Sequence, residues 1–325
     1  MKLNTCIFAS LLMISTSTLF ADVAIPYGVG PGQADYINNK KYPKIDDPQP
    51  TGPLSFRVIG DSTWVADSVS NKIMRFDKTG KFVSEFSILP VGEKPYRIDE
   101  HNLPILNMRL DDFAPVRNEK GEVIAWWIVD CCKHKLYKFS VDGKKLAEIK
   151  NEEFGQLYRV EVGLGGHVFV ADKIAQAIFT YDAEGNFVNK QNWQWSGMAV
   201  TGKDDILYRL MYDGEARRNI LVASNLKGKI IKERMLDIFM FNPKLWWVDE
   251  AKGECVITYS QPKFDGNYNV VKVGFDGKVK ANVVMPAPII MNRFIDNNNG
   301  QVFIGKGNFF NAPEGQFEIV PFKLP

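Results

Sequence analysis

The chain runs to 325 residues, enough to bury a large core as one big domain or two ordinary ones. Its 40 Lys and Arg nearly balance its 38 Asp and Glu, so no electrostatic footprint for nucleic acid or an acidic membrane surface is present. Any charged site must be local.

The first 21 residues, MKLNTCIFASLLMISTSTLFA, combine Lys2, an apolar run from Cys6 to Ile14, a polar Ser/Thr stretch and Ala21. This is the pattern of a cleaved secretory signal. The apolar run falls short of the roughly 20 residues a membrane-spanning helix needs, and no later stretch approaches that length. The expected mature protein begins near Asp22, has no membrane span, and is periplasmic or secreted. Beyond Cys6 the cysteines are Cys131, Cys132 and Cys255. An odd number does not make a disulfide scaffold. DCCKH, from Asp130, admits either a strained bridge between neighbours or two small turn residues. Cys131, Cys132 and His134 lack the C-x-x-C spacing of a zinc site.

Next comes PYGVGPGQAD, from Pro26. A phosphate-cradling loop needs a strand before it and a helix after it. GVGPGQ contains Pro31, lacks the Lys-Ser/Thr pair, and runs into a segment with no helical pattern.

From residue 55 onward short runs rich in Val, Ile, Phe, Tyr and Trp alternate with Gly, Asp and Asn turns, which predicts an all-β chain. TWVADSVSNKIMRFDKTGKFV from Thr63, WIVDCCKHKLYKFSVDGKKLAEI from Trp127 and VFVADKIAQAIFTYDAEGNFV from Val168 share one pattern. Each has an apolar strand ending in Asp (Asp67, Asp130, Asp172), a short connection, an alternating strand, a turn with Gly, and another strand. Three weaker copies follow, the last being VFIGKGNFFNAPEGQFEIVPFKL. Six sheets of about 40 residues, none able to bury both faces alone, bury them by standing radially, as in a β-propeller.

VADSVSNKIMRFDKTGKFV and VFVADKIAQAIFTYDAEGNFV resemble the NHL-repeat family, with its V-x-V-A-D strand, its N-R/K-I start to the next strand and its F-x-x-x-G-x-F/V turn. The likeness is good over Phe56 to Phe86 and Tyr158 to Val188, fair in the second unit, and topological from Ser196 onward. It implies a six-bladed β-propeller. It supplies no activity, since this architecture hosts binding scaffolds, lactonases and lyases. In this light GVGPGQ resembles the Gly-rich connection between blades. The expected organisation is a closing strand over 22–27, a connection over 28–54, and blades from about residues 55, 104, 157, 196, 243 and 291. The last unit has three strands of its own, so the N-terminal strand completes it, closes the ring and removes both sheet edges.

Pockets of propellers form where the innermost strands surround the axis. Aligning FRVI, MRLD, YRVE and NRFI brings Arg57, Arg109, Arg159 and Arg293 toward that axis, with Gly197 and Lys244 in the remaining blades. In blade two YRID fits almost as well and offers Arg97 in place of Arg109. Two readings stay open. Planar guanidinium groups converging on the axis would bind a carboxylate, sulfate or phosphate of a small ligand, peptide or protein. Alternatively each Arg pairs with a nearby acid, among them Asp111, Glu161 and Asp296, and stitches blade to blade. The same three acids motivate a further alternative, a lactonase-like hydrolase or lyase holding a divalent cation such as calcium. Otherwise no cofactor is expected. His101, His134 and His167 share no position in the repeat. DNNNG, Asp296 to Gly300, begins like a calcium loop but lacks an acid at its twelfth position, where Gly307 stands. The pairs Trp193/Trp195 and Trp246/Trp247 suit either blade packing or stacking on a ligand.

Overall fold

The computed structural model describes residues 20–43, 51–263, 265–288 and 291–325. The export signal read over residues 1–21 lies almost wholly outside them. Among the described residues no helix is long and apolar enough to cross a membrane.

Six four-stranded antiparallel sheets form a six-bladed β-propeller. Blade one comprises Ser55–Ile59, Ser62–Asp67, Lys72–Asp77 and Phe82–Ser87, counted from the axis outward. The inner strands of blades two to six are Leu110–Arg117, Leu157–Val162, Met198–Thr201, Phe241–Asp249 and Ile295–Asn298. Middle strands such as Val168–Asp172 and Ala177–Tyr181 are buried on both faces, which is why they read as continuous apolar runs. The core is correspondingly divided among the gaps between blades: Trp64, Phe113 and Trp126 meet between blades one and two, and Trp127, Val160 and Phe179 between two and three.

One backbone device recurs in every blade. The residue just before the third strand takes a left-handed conformation: Asn71, His134, Gln176, Arg217, Gly266 and Gly315, with φ of 52°, 53°, 48°, 53°, 85° and 82°. His134 is thereby a turn residue. The aspartate ending the second strand anchors the same loop. Asp172 Oδ1 accepts from the amides of Ile174 and Ala175, and Asp130 Oδ1 from Cys132 and Lys133. The DNNNG segment is a two-residue hairpin turn, with Asn299 and Gly300 both at positive φ and Asn298 paired to Gln301.

The ring closes through the N-terminal strand, as the spare strand in the sequence predicts. Val23–Pro26 pairs antiparallel with Gln316–Phe322 and becomes the outer strand of blade six. Its alternation sends Val23 and Ile25 into the core while Ala24 and Pro26 face out. The Gly-rich connection then crosses to blade one, where Lys72 Nζ donates to the Gly30 carbonyl at 3.1 Å.

Blade two departs from expectation. Pro104–Leu106 pairs with Tyr96–Ile98 in a separate two-stranded hairpin, and the inner strand of blade two starts at Leu110. Leu110 pairs with Asp130. This is the pairing that Leu157 makes with Asp172 in blade three. That register sends Asp112 to the axis. Arg109 precedes the strand, and Arg97 stays on the exposed hairpin.

Candidate functional site at the propeller axis

The inner strands of blades one, two, three and six deliver a knot of charges. Asp112, fully buried, receives Arg293 through two hydrogen bonds, Nε at 3.0 Å and Nη2 at 2.9 Å. Ser55 Oγ donates to it at 2.6 Å and the Val160 amide at 3.2 Å. Glu161 bridges the two arginines, its Oε1 lying 2.6 Å from Arg293 Nη2 and its Oε2 3.2 Å from Arg57 Nη1. Arg57 completes its fork by donating to the carbonyls of Phe113 and Val160. Asp296 accepts from the Val58 amide at 2.7 Å. Burial alone would raise the Asp112 carboxyl, but Arg293 and then Arg57 hold it well below the usual carboxylate range. Burial also works against the charge of Arg293, yet Asp112 and Glu161 raise its affinity for the proton above the ordinary value. For Asp296, burial outweighs Arg57 and Arg293 and leaves the carboxyl raised.

Arg159 is set apart from this knot. Its side chain is fully buried and its guanidinium stacks over Trp246, 4.1 Å from the ring centroid. Nη1 donates to the Leu245 carbonyl at 3.2 Å, whereas Nε and Nη2 have no partner. Burial, followed by repulsion from Arg293, pushes it down to about 10. Gly197 makes the approach of blades four and five possible here: its φ is +74°, and a Cβ would lie 2.3 Å from the Leu245 carbonyl oxygen.

Of the sequence candidates, then, Arg57, Arg293, Glu161 and Asp296 meet at one place, with Arg159 beside them. Arg109 does not join; its Nε pairs with Asp111 at 2.8 Å, near Cys131. Arg97 is exposed on the two-stranded hairpin, which pairs with none of the axial strands. Asp112 escaped notice because it adjoins Asp111. Strand alternation points two consecutive acids to opposite faces, and sequence alone does not say which faces the axis. Cys131, Cys132 and Cys255 are free thiols. His167 Nδ1 lies 2.9 Å from Asp205, and His101 is exposed. Trp193 and Trp246 are buried packing residues, while Trp195 is half exposed.

The two ends of the axis differ. Toward the ends of the inner strands a cavity of about 1070 Å³ opens, lined by Arg57, Arg117, Glu161 and Lys203 among others. It shares Arg57, Pro115, Arg117 and Glu161 with a smaller recess of about 170 Å³, which adds Asp296, Trp246 and Trp247. The side chain of Arg117, on the wall of both, forms no ion pair or hydrogen bond among the described residues; burial and Arg57 work against its charge, and Asp296 favours it. At the other end Tyr158 stands between Lys173 and Lys244.

A divalent cation does not fit the acids suggested for it. Both oxygens of Glu161 face guanidinium groups, Asp111 lies against Arg109, and no three of His, Cys, Asp and Glu among the described residues come together as a metal needs.

No protein-family model matches the chain, and no curated protein matches it. Among solved structures it is similar to hydrazine synthase of Kuenenia stuttgartiensis, at a TM-score of 0.52 and 11% identity, over 78% of this chain and 73% of that one. A streptogramin B lyase matches at a TM-score of 0.50 and 12% identity, over 93% of this chain and 98% of that one. The WD40 repeats of RRP9 match at a TM-score of 0.50 and 8% identity, over 85% and 81%. These likenesses show the propeller fold, shared by proteins of unlike function.

Proposed function

We propose that this is an exported, NHL-like binding propeller that receives an anionic group of a small ligand or a partner's peptide segment in its wide axial mouth. The observation that carries this reading is Arg117. It stands on the wall of a cavity of about 1070 Å³ with no ion-pair partner among the described residues, Asp296 acting on it only at a distance, above a floor made by the Arg57–Glu161 pair. A concave site of that size with a few converging polar groups suits a ligand. Arg57 and Arg293 contribute rigidity to the floor rather than free charge, because Asp112 and Glu161 neutralise them. A carboxylate entering the mouth would take the fork of Arg117 bidentately and lay its neighbouring atoms along Val200, Trp247 and Val248.

The metal-dependent hydrolase or lyase is the weaker reading, since Asp111 and Glu161 are already held by guanidinium groups and Asp296 accepts from the Val58 amide within electrostatic reach of Arg57 and Arg293.

The test uses tetrapeptides with a free C-terminal carboxylate and the same peptides as C-terminal amides, titrated against intrinsic tryptophan fluorescence. The free acids are expected to quench saturably and the amides far less. Arg117→Ala should weaken the acids by about tenfold, the equivalent of one lost charge-assisted contact. Equal responses from acid and amide, or none from either, would refute the reading.

A further inference from the structure

The geometry points to a second, separate oxyanion-binding site at the opposite end of the axis, formed by Tyr158, Lys173 and Lys244 with Arg159 behind them. Val162 and Val248 line the wide mouth, and Tyr158 and Lys244 lie four residues back along the same two strands, roughly 13 Å away. Lys244 Nζ is 3.0 Å from Tyr158 Oη, and Lys173 Nζ lies 3.7 Å from the centroid of the Tyr158 ring. Neither lysine has an ion-pair partner among the described residues. The acid within electrostatic reach, Asp111, is already engaged by Arg109 at 2.8 Å.

Two lysines converge on one phenol with no carboxylate between them. That arrangement is costly for a folded chain by itself, since like charges repel and Asp111, shared with Arg109, compensates them only in part. An oxyanion relieves it. Arg159, within electrostatic reach of the phenol, adds a fully buried guanidinium with two nitrogens lacking any acceptor. Buried donors of this kind are rare in folded proteins and mark a place where a partner is expected. Asn292, between the same elements, is likewise half satisfied. Its Nδ2 donates to the carbonyls of Asp111 and Tyr158, whereas its Oδ1 has no donor.

The rim carries backbone strain. Trp195 has φ of 59°, a left-handed conformation that bulky residues avoid, and holds it through a hydrogen bond from Nε1 to the Lys173 carbonyl at 2.9 Å. The bond fixes the loop that presents Lys173 and leaves a half-exposed aromatic ring beside it. Carboxylate, sulfate and phosphate share the chemistry this site reads: several acceptor oxygens and negative charge, met by ammonium groups and a phenol donor.

Inorganic sulfate is the probe, read as the change in Tm against chloride at constant ionic strength. Sulfate strengthens burial in any protein, so the readout is the difference between parent and variant. The parent is expected to gain more than the Lys173→Met/Lys244→Met double variant, and calorimetric titration should show affinity at least tenfold weaker in the variant. Tyr158→Phe, which keeps the ring and removes the hydroxyl, provides a second reading and should weaken sulfate several-fold. The same loss on replacing both lysines is expected in an Arg117→Ala background, where the wide mouth has lost its own anion contact, so failure here is distinguishable from failure of the proposed function. An equal Tm gain in parent and double variant, or sulfate affinity untouched by Tyr158→Phe, would overturn the site.

Discussion

Asp112 and Arg293 stand 181 residues apart in the chain and meet at the axis through two hydrogen bonds of 3.0 and 2.9 Å. Through Ser55, Val160, Arg57 and Glu161 this pair ties blades one, two, three and six into one knot. The carboxylate is fully buried, so its charge is tolerable only because every oxygen is engaged.

Removing one side of that pair should therefore be severe. Asp112→Ala leaves two buried arginines, Arg293 and Arg57, to share Glu161 alone and is expected to cost about 3–5 kcal/mol. Arg117→Ala, on the open wall of the mouth, should stay within about 0.5 kcal/mol. Urea unfolding of the two variants beside the parent checks the contrast. A parent-like midpoint for Asp112→Ala would show that the knot holds nothing.

The same carboxyl makes the stability pH-dependent in a definite direction. Its proton affinity is depressed in the folded state. The stability it contributes is therefore fully present above the unfolded value, near pH 4, and is lost as pH falls through the folded value. Tm profiles below pH 4 should fall more steeply for the parent than for Asp112→Asn, which has no proton to gain. Asp296, whose carboxyl is raised, acts in the opposite sense and is common to both proteins.

Ring closure is a second point of leverage. Ile25 is fully buried and pairs with Phe317. Ile25→Ala should cost about 2–4 kcal/mol through the cavity it leaves. Deleting 22–27 exposes the edge of blade six and should bring aggregation together with a large drop in Tm. Ala24→Ser, on the outward face of the same strand, should be nearly silent. Differential scanning fluorimetry with light scattering follows all three.

Asp172 tests the repeated loop anchor. Its Oδ1 accepts from Gln156, Ile174 and Ala175, and its Oδ2 from Gly155. Asp172→Ala strands four amides and is expected to cost roughly 2–4 kcal/mol. Asp172→Asn can keep the three bonds to one oxygen, and should cost less than half of that. Chemical unfolding of both variants gives the ratio.

Tyr158 offers a spectroscopic check on its surroundings. Burial alone would raise the phenol, but Lys244, Lys173 and Arg159 outweigh it and bring the proton affinity below the ordinary tyrosine value. A tyrosinate absorbance step below about pH 10 is expected in the parent and should vanish in Tyr158→Phe. A difference spectrum without that step would mean the lysines do not face the ring in solution.

Much of the architecture is written in short-range pattern. The Asp that ends Val168–Asp172, the turn residue before each third strand and the apolar runs of the middle strands all act within a few residues of themselves, so a single sequence displays them. The Gly-rich GVGPGQ connection likewise made the closing strand legible: the strand before it needs a partner, and blade six lacked one.

The axis was decided elsewhere. FRVI and NRFI led correctly to Arg57 and Arg293, yet MRLD misled, because the register of blade two depends on Leu110 pairing with Asp130. A slip of one residue exchanges the faces of Asp111 and Asp112, and no local signal forbids it. Whether an arginine is free or neutralised depends on residues more than a hundred positions away, as Arg57 with Glu161 and Arg293 with Asp112 show. Local propensity and burial pattern set the blades, since those forces act along one strand and its neighbours. Charge pairing at the centre is a property of six strands brought together, and only the closed ring sets it.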